Sequence, residues 1–390
     1  MEAKKRNLLI FAVLVFAILC VAFALVFSHK KQKSKKLFVA FYQIPAEMQA
    51  ALRTEILLKM PEDLVEFTLL DSAEKLPRNL KKKYSLLFTL NGCTVQELES
   101  SAKDIPSEFF SHLPTNIAAT GTKNGRAFAL PILLDHFEID YYTSFQKNAH
   151  LEQPQNYADL LSYLAKVEKF AEYPLFCPGR NDDSLLDMVS VLCESLNGAE
   201  KYLNIAEKVK IQLNKDKTLA QELFPTLDEL KRLQNAGLLH KHWYEGSIKD
   251  ADFFMQEHLL GAQTMTLSTH RKKDLVYIKY YNSAVFPPDS DEPHGIIAPE
   301  LCAIFLNSNG NPQEILSFLI TPEVQEQLSD LTGLAPVSSQ GIAHDSQADD
   351  VRYWAASTPK GPLPSLKTAS CATPADRQIL CTQIRDYLAN

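Results

Sequence analysis

The sequence predicts an α/β fold, because short apolar runs alternate with stretches of helical spacing. Leu37–Tyr42 has the composition of a strand, and the helical stretch Ala46–Lys59 follows it. Two further strand-like runs, Leu64–Leu70 and Tyr84–Leu90, come next, and the second ends at Asn91-Gly92, a turn signal. Alternation of this kind is typical of a largely parallel sheet covered by helices.

The later part of the chain continues the same alternation. The predicted strands are 125–134, 137–142, 262–267, 275–280 and 296–305. The predicted helices are 157–170, most of 184–239, 312–320, 322–331 and 376–388, and a proline near the first turn marks the start of the third and fourth of these. Because the chain after Lys36 is longer than a usual single domain, we expect two lobes.

The apolar run Leu8–Phe27 contains no charged side chain and predicts a transmembrane helix. At about 1.5 Å per residue it reaches about 30 Å, the thickness of the hydrocarbon core of a bilayer. No cleavage site of small residues follows Phe27, so we expect an uncleaved anchor. A cleaved signal peptide and a lipoprotein modified at Cys20 are the alternatives.

Charge is distributed unevenly along the chain. The net charge is −7, yet the first 36 residues carry eight basic side chains and one acidic one, so the remainder is strongly acidic. An acidic surface disfavours nucleic acid as a partner. Three of the basic residues precede the apolar run and five lysines follow it, a bias that by itself places the long domain in the cytoplasm. Large domains translocate regardless of such a bias, so the orientation stays open.

Patterns of known catalytic chemistry are missing from the sequence. It has no HExxH, GxSxG, P-loop or GxGxxG pattern, and the SxxK matches at 100–103 and 144–147 lack the companion motifs of a serine acyl-enzyme. The seven cysteines form no CxxC pair, and we expect buried free thiols, although an oxidising compartment would allow disulfides. His240 and His242 would need further ligands to hold a metal. We therefore expect a protein without catalytic activity, cofactor or metal.

Three blocks of the sequence share their order and spacing with one known family. The first block combines Gly125–Pro131, Asp135, Tyr141-Tyr142, Pro154 and Tyr157–Leu161; the second combines Asp252–Glu257, Ala262 and Met265-Thr266; the third combines Thr321–Gln325 and Leu331–Val337. Together they resemble the extracellular solute-binding proteins of bacterial ABC importers, the broad family that includes sugar-binding members. The chain departs from the family pattern at Tyr142-Thr143, Asn156-Tyr157 and His258.

The resemblance implies a two-lobed fold of the type II periplasmic-binding-protein class, with the ligand held between the lobes. Residues 1–36 would form a cytoplasmic stub, the anchor and a lysine-rich linker. Lobe one would comprise 37–136 and 296–330, and lobe two would comprise 137–295 and 331–390. The chain would cross between the lobes near Asp135-His136, Gly295 and 331–333.

Ligands of open α/β sheets bind at the carboxyl ends of strands, and closure of two lobes removes water from both sides of a ligand. Asp135 stands where the resemblance implies a ligand-contacting carboxylate; a solvated or capping aspartate is the alternative. The other candidates at strand ends and turns are Tyr42, Gln43, Asn91, Arg180, Asn181, Asp182, Ser268, Thr269, His270 and Arg271. Trp243 and Trp354 are candidate stacking platforms, although tryptophan is more often found in a core.

The resemblance implies a sugar-like ligand. Arg271 stands where sugar-binding relatives often place tryptophan, which argues against a long oligosaccharide. Arg271 together with Arg180 would instead suit a carboxylate or phosphate ligand.

The function implied by the resemblance is that of a solute-binding component of an ABC-type importer. Such a protein would be a monomer tethered to the bacterial inner membrane, facing the periplasm or the cell exterior, and would deliver its small-molecule solute to ABC permease subunits. Capture would proceed by lobe closure, without catalysis. The alternative is a ligand-sensing or structural membrane-anchored protein whose pocket has decayed. A hydrolase is a remote third hypothesis, since no nucleophile–base pair is visible.

Overall fold

The structure is a computed structural model that describes residues 36–77, 79–272, 280–289 and 291–390. The predicted anchor, Leu8–Phe27, and nearly all of the predicted strand 275–280 lie outside the described residues. Within the described ranges, no helix is both long enough and apolar enough to cross a membrane.

The first sheet has six strands within the part of the chain that the structure describes. In spatial order they are β2 (Val65–Leu69), β1 (Leu37–Phe41), β3 (Leu86–Leu90), β12 (Glu300–Phe305), β6 (Ala129–Leu134) and β13 (Ala335–Pro336). Strand β1 runs parallel to β2 and β3, whereas β12 is antiparallel to both of its neighbours. Strands β1, β2, β3 and β6 therefore all point the same way, and their carboxyl ends share one edge of the sheet.

Helices cover both faces of the first sheet, as the period-two burial of β1 requires. Leu37, Val39 and Phe41 belong to one apolar core, and Ala40 belongs to a second, smaller cluster on the opposite face. The helices that supply residues to the larger core are α1 (Ala46–Lys59), α11 (Pro312–Leu319), α12 (Pro322–Thr332) and α13 (Ser346–Ser357). The smaller cluster includes residues of α2 (Leu80–Lys83) and α3 (Cys93–Leu98).

Among the described residues, the second sheet has four strands in the order β10 (Tyr281–Ala284), β7 (Phe137–Tyr142), β9 (Leu260–Thr266) and β8 (Tyr173–Phe176). Strand β7 is antiparallel to β9 and β10, and β8 is parallel to β9. Phe137, Ile139 and Tyr141 point into a core built with α6 (Tyr157–Val167), α7 (Asp182–Lys215), α8 (Phe224–Asn235) and α15 (Pro374–Ala389). The alternate residues Glu138 and Asp140 are also fully buried, on the other face.

The remaining described elements are short. The strands are β4 (Thr122–Lys123), β5 (Arg126–Ala127), β11 (Ile296–Ile297) and β14 (Pro362–Leu363). The helices are α4 (Thr115–Thr120), α5 (Thr143–Asn148), α9 (Ile248–Gln256), α10 (Leu267–Arg271) and α14 (Leu366–Ala369), with 3₁₀ turns at Glu62–Leu64, Ser107–Phe110, Gln221–Leu223 and Trp243–Glu245.

One predicted boundary is wrong. The sequence-based division gives all of 331–390 to lobe two, but Ala335–Pro336 pairs with β6 of the first sheet, and Val351 and Ala355 of α13 lie in the first core. The reason is local: Gly333 ends α12 with φ +77° and turns the chain back onto the first sheet. The chain joins the second core only from Leu363 onward.

Candidate functional site

Three of the residues predicted at strand ends lie along one edge of the first sheet. Gln43, Asn91 and Asp135 follow β1, β3 and β6, and the start of the antiparallel β12 lies between the last two. The backbone N–H of Asn91 donates to the carbonyl of Glu300 over 2.7 Å, and that of Asp135 donates to the carbonyl of Pro299 over 2.9 Å. The edge is therefore continuous across these strands, and we call it the strand-end edge.

Asp135 connects this edge to the second sheet. Its carboxylate accepts hydrogen bonds from the Ser268 hydroxyl at 2.7 Å and from the Ser268 backbone N–H at 3.1 Å. Ser268 lies in α10, directly after β9 of the second sheet. The two sets of strand ends thus meet at Asp135 and Ser268, two residues that the sequence predicts for the site.

Glu300 belongs to the same edge, although the sequence did not indicate it. Its side chain is 1 % exposed and accepts hydrogen bonds from Thr120 Oγ1 at 2.7 Å and from Asn91 Nδ2 at 2.5 Å. Burial raises the pKa of Glu300 to about 8, although both hydrogen bonds lower it. At neutral pH Glu300 is therefore mainly protonated. The one sequence signal for it was a single acid at the head of a strongly apolar strand.

The segment Pro364–Thr373, which we call the covering segment, packs directly on this edge. The Ala372 carbonyl accepts from Gln43 Nε2 at 2.8 Å and from the Tyr42 hydroxyl at 3.4 Å. A Cβ built on Gly92 would lie 2.3 Å from the Thr368 carbonyl oxygen. Tyr42 and Gln43 therefore make polar contacts with the chain itself.

The covering segment also brings a buried charge to the site. Lys367 Nζ lies 2.6 Å from Asp187 Oδ2 of α7, and the two residues are 6 % and 0 % exposed. Burial lowers the pKa of Lys367, but the carboxylates of Asp187, Asp183 and Asp135 outweigh burial and hold that pKa above its ordinary value. Lys367 is therefore a cation within electrostatic range of Asp135. The sequence analysis did not identify Lys367 or Asp187. The only signal in the sequence was Asp187, an acid within the apolar face of a helix.

The predicted turn Arg180–Asp182 has mainly structural contacts. Asn181 caps α7, because its side-chain oxygen accepts from the backbone N–H groups of Asp183 at 2.8 Å and Ser184 at 3.2 Å. Asp182 lies 2.8 Å from Arg385, which also donates to the Arg180 carbonyl at 2.9 Å. The Arg180 side chain is exposed.

Arg271 does not have the role that the sequence suggests. Its guanidinium lies 2.6 Å from Asp345 and donates to the backbone carbonyls of Ser329 and Leu334, each at 3.1 Å. These partners occupy the donors that a bidentate grip on an anion with Arg180 would need. The prediction of an anion clamp is therefore wrong for this arrangement.

The two tryptophans are not exposed platforms. Trp243 is 0 % exposed in the core of the second sheet, where its ring would lie 2.7 Å from a Cβ built on Gly179. Trp354 is half-buried, and its ring centroid lies 5.6 Å from that of His136. Trp243 is therefore a core residue, which is the alternative that we considered for the tryptophans.

Thr269 and His270 serve the second sheet. The Thr269 hydroxyl lies 2.8 Å from that of Thr266, the N-cap of α10. His270 is 2 % exposed, with Nδ1 2.8 Å from Glu138 Oε1 and 3.1 Å from Asp140 Oδ1. Burial lowers the pKa of His270, yet Asp140 and Glu138 raise it overall to about 10.

The six cysteines in the described residues are free and buried, as the sequence predicts. Burial raises the pKa of the Cys93 thiol to about 11 and that of Cys177 to about 12. These thiols are therefore unreactive at neutral pH and support a structural role.

Comparison with known proteins gives matches to solved structures. No family model matches the sequence, and no curated protein matches it. AcbH, a bacterial solute receptor with an exclusive preference for β-D-galactopyranose, superposes with a TM-score of 0.69 at 12 % identity, over 90 % of this chain and 98 % of AcbH. MsmE from Bacillus subtilis, in an open conformation, gives 0.68 at 13 % identity, over 92 % and 93 %.

A sugar transporter from Bacillus licheniformis in complex with stachyose gives a TM-score of 0.60 at 12 % identity, over 90 % of this chain and 98 % of that one. At these identities the likeness shows the fold. The chain therefore has the α/β solute-binding-protein fold. The resemblance that the sequence motifs indicate is confirmed at the level of the fold.

Proposed function

We propose that this protein is the solute-binding component of an ABC-type importer and captures a small, sugar-like solute between its two lobes without catalysis. The single observation that carries this proposal is the hydrogen bond between Asp135, at the end of β6 in the first sheet, and Ser268, just after β9 in the second sheet. The support from comparison is a solute-receptor fold that extends over about nine-tenths of both chains, with neighbours that prefer galactopyranose or hold stachyose.

The chemistry of the edge suits a polyhydroxylated ligand. Asp135 supplies acceptor oxygens, and Gln43 and Asn91 are amides that can both donate and accept. All three are already hydrogen-bonded within the chain, so a solute has to exchange partners with Ser268, Ala372 and Glu300. Lobe closure, driven by higher affinity of the solute for the closed state, completes the capture.

The setting that we propose for this activity is based on the N-terminal sequence and on a type II two-lobed organisation. In this proposal Leu8–Phe27 anchors the chain in the inner membrane, the soluble part faces the periplasm or the cell exterior, and the loaded monomer delivers its solute to permease subunits. The lobes comprise 37–136 with 296–355 and 137–295 with 356–390, since β13 and most of α13 pack with the first sheet.

One observation favours the alternative, a sensing or structural protein with a decayed pocket. The covering segment packs on the strand-end edge, and its Ala372 carbonyl accepts a hydrogen bond from the Gln43 amide that a solute would need. If that contact is permanent, no solute reaches the edge.

Thermal unfolding of the full-length protein in detergent tests the proposal. The panel contains D-galactose, maltose, raffinose, stachyose, chitin oligosaccharides, short peptides and organic acids. A true ligand at a hundredfold excess over its Kd stabilises the protein by about 2.7 kcal/mol. Asp135→Asn should reduce the shift, and Glu207→Gln, at an exposed residue of α7, should leave it unchanged. If no solute raises the unfolding temperature, the decayed-pocket alternative is the better account.

A further inference from the structure

A compact group of metal-ligating side chains lies inside the protein, on the face of the second sheet opposite its main core. Glu138 and Asp140 alternate along β7, and His270 follows β9. The three residues are 0 %, 0 % and 2 % exposed, and one ligand atom from each falls within 4.8 Å of the other two. Sequence reasoning placed His270 at a solute site and did not single out either acid.

A second, independent observation points to a missing ligand at this place. His136, which is 1 % exposed, has no hydrogen-bond partner for Nδ1 among the described residues, and this atom lies 3.7 Å from Glu138 Oε2. Gln263 pairs with Asp140 across the sheet and is fully buried, yet neither atom of its side-chain amide has a hydrogen-bond partner in the described part of the chain. Buried polar atoms without partners are costly and call for an explanation.

We propose that Glu138, Asp140 and His270 bind a divalent transition-metal cation, with Zn²⁺ as the expected ion. Two carboxylate oxygens and one imidazole nitrogen form a mixed set of three protein ligands, which Zn²⁺ accepts with its fourth position left open. Imidazole ligands favour zinc and its first-row neighbours over Ca²⁺ and Mg²⁺, which prefer oxygen. The proposal is independent of solute binding, because none of its ligands belongs to the strand-end edge.

The position of the group explains what such an ion would do. His136 lies in the crossing between β6 and β7, and Glu138 and Asp140 belong to β7. Gln347 of α13, a helix of the first core, contacts the same group: its side-chain nitrogen lies 2.8 Å from His270 Nδ1 and is also bonded to Glu138. A bound cation would therefore fasten the crossing between the two halves, and its binding free energy would add to the stability of the folded protein.

Metal content and unfolding temperature of the full-length protein test this inference. The protein is stripped with a chelator, dialysed against micromolar Zn²⁺ and measured by elemental mass spectrometry and thermal unfolding. We expect one tightly held Zn²⁺ per chain and a higher unfolding temperature than that of the stripped protein. Glu138→Gln and His270→Gln should each lose at least tenfold in Zn²⁺ affinity. His344→Gln is the control, since His344 lies 2.7 Å from Asp330 at an exposed site.

The Glu138→Gln variant also guards against a trivial loss of folding. The amide keeps the shape of the side chain, and His270 keeps Asp140 at 3.1 Å, so the metal-free variant should still unfold in one cooperative transition, which shows that a loss of Zn²⁺ affinity is not a loss of folding. Full Zn²⁺ binding by both variants would overturn the proposal. Absence of stoichiometric Zn²⁺ from the wild type, or binding of Ca²⁺ in preference to Zn²⁺, would overturn it as well. None of these outcomes depends on finding a solute, so failure here is distinguishable from failure of the proposed function.

Discussion

Among single residues, Glu300 shows how an acid can be held neutral at an apolar strand edge. Its folded-state pKa is about 8, against 4.5 for an ordinary glutamate, because burial disfavours the charged form. The folded protein therefore holds a proton that the unfolded chain releases above about pH 4.5. The contribution of Glu300 to the free energy of unfolding has its full value below pH 4.5. It declines as the pH rises toward 8 and no longer changes above pH 8.

Glu300→Gln should remove this pH dependence. Gln keeps an oxygen for Asn91 Nδ2 and carries no ionisable proton. The free energy of unfolding of the variant, relative to that of the wild type, should therefore be higher at pH 9 than at pH 5 by about 1–3 kcal/mol. Urea unfolding at both pH values measures the difference. Glu207→Gln, at an exposed position, should show no such gain. Parallel pH profiles for wild type and Glu300→Gln would contradict the assignment.

Among the helices and strands, α7 shows how one residue redirects a helical stretch. The predicted helical stretch 184–239 is two helices, 182–215 and 224–235, and the first is broken at Gly198, where φ is +73°. A Cβ at Gly198 would lie 2.6 Å from the Cβ of Glu292, so both conformation and space require glycine.

Gly198→Ala should therefore destabilise the protein more than a change at another glycine of similar φ. Gly125 has φ +77° and open space where a Cβ would lie, so Gly125→Ala bears only the conformational cost, about 1 kcal/mol. We expect Gly198→Ala to lose about 2–4 kcal/mol, because steric overlap adds to that cost. Urea unfolding at pH 7 compares the two, and equal losses would show that the contact with Glu292 is not restrictive.

Local patterns predicted most elements well. Helix 46–59 and strand 137–142 have the predicted bounds, and prolines begin helices 312–319 and 322–332 as expected. These elements depend on spacings of two to four residues and on capping groups within one turn, which the sequence shows directly. The strand 281–284 was not predicted, because its residues Tyr-Asn-Ser-Ala have no apolar alternation. In the described part of the chain, this strand pairs with β7.

For the molecule as a whole, the covering segment is important because it packs on the edge where we propose that a solute binds. Thr368 lies against Gly92, and the Cys371 carbonyl accepts a weak hydrogen bond from the Cys93 thiol at 3.6 Å. The amides of the covering segment should therefore exchange slowly with solvent.

Gly92→Ala should loosen this contact, because a Cβ 2.3 Å from the Thr368 carbonyl oxygen forces the covering segment to move. Hydrogen exchange measured by mass spectrometry should show exchange faster by about tenfold or more in peptides covering 364–373. The peptide that contains helix 312–319, which packs in the larger core of the first sheet, serves as the control, and its exchange should be unchanged. Unaltered exchange in both peptides would mean that the segment does not rest on Gly92.

Short-range periodicity and motif order were enough to predict the α/β class and the order of most strands and helices, and to place Gln43, Asn91, Asp135 and Ser268 at the ends of strands. Only the tertiary structure shows which side chains contact each other. The contact of Gln43 with Ala372 spans 329 residues, that of His270 with Glu138 spans 132, and that of Lys367 with Asp187 spans 180. Such pairings depend on how two sheets and a returning chain pack, and no local pattern encodes them.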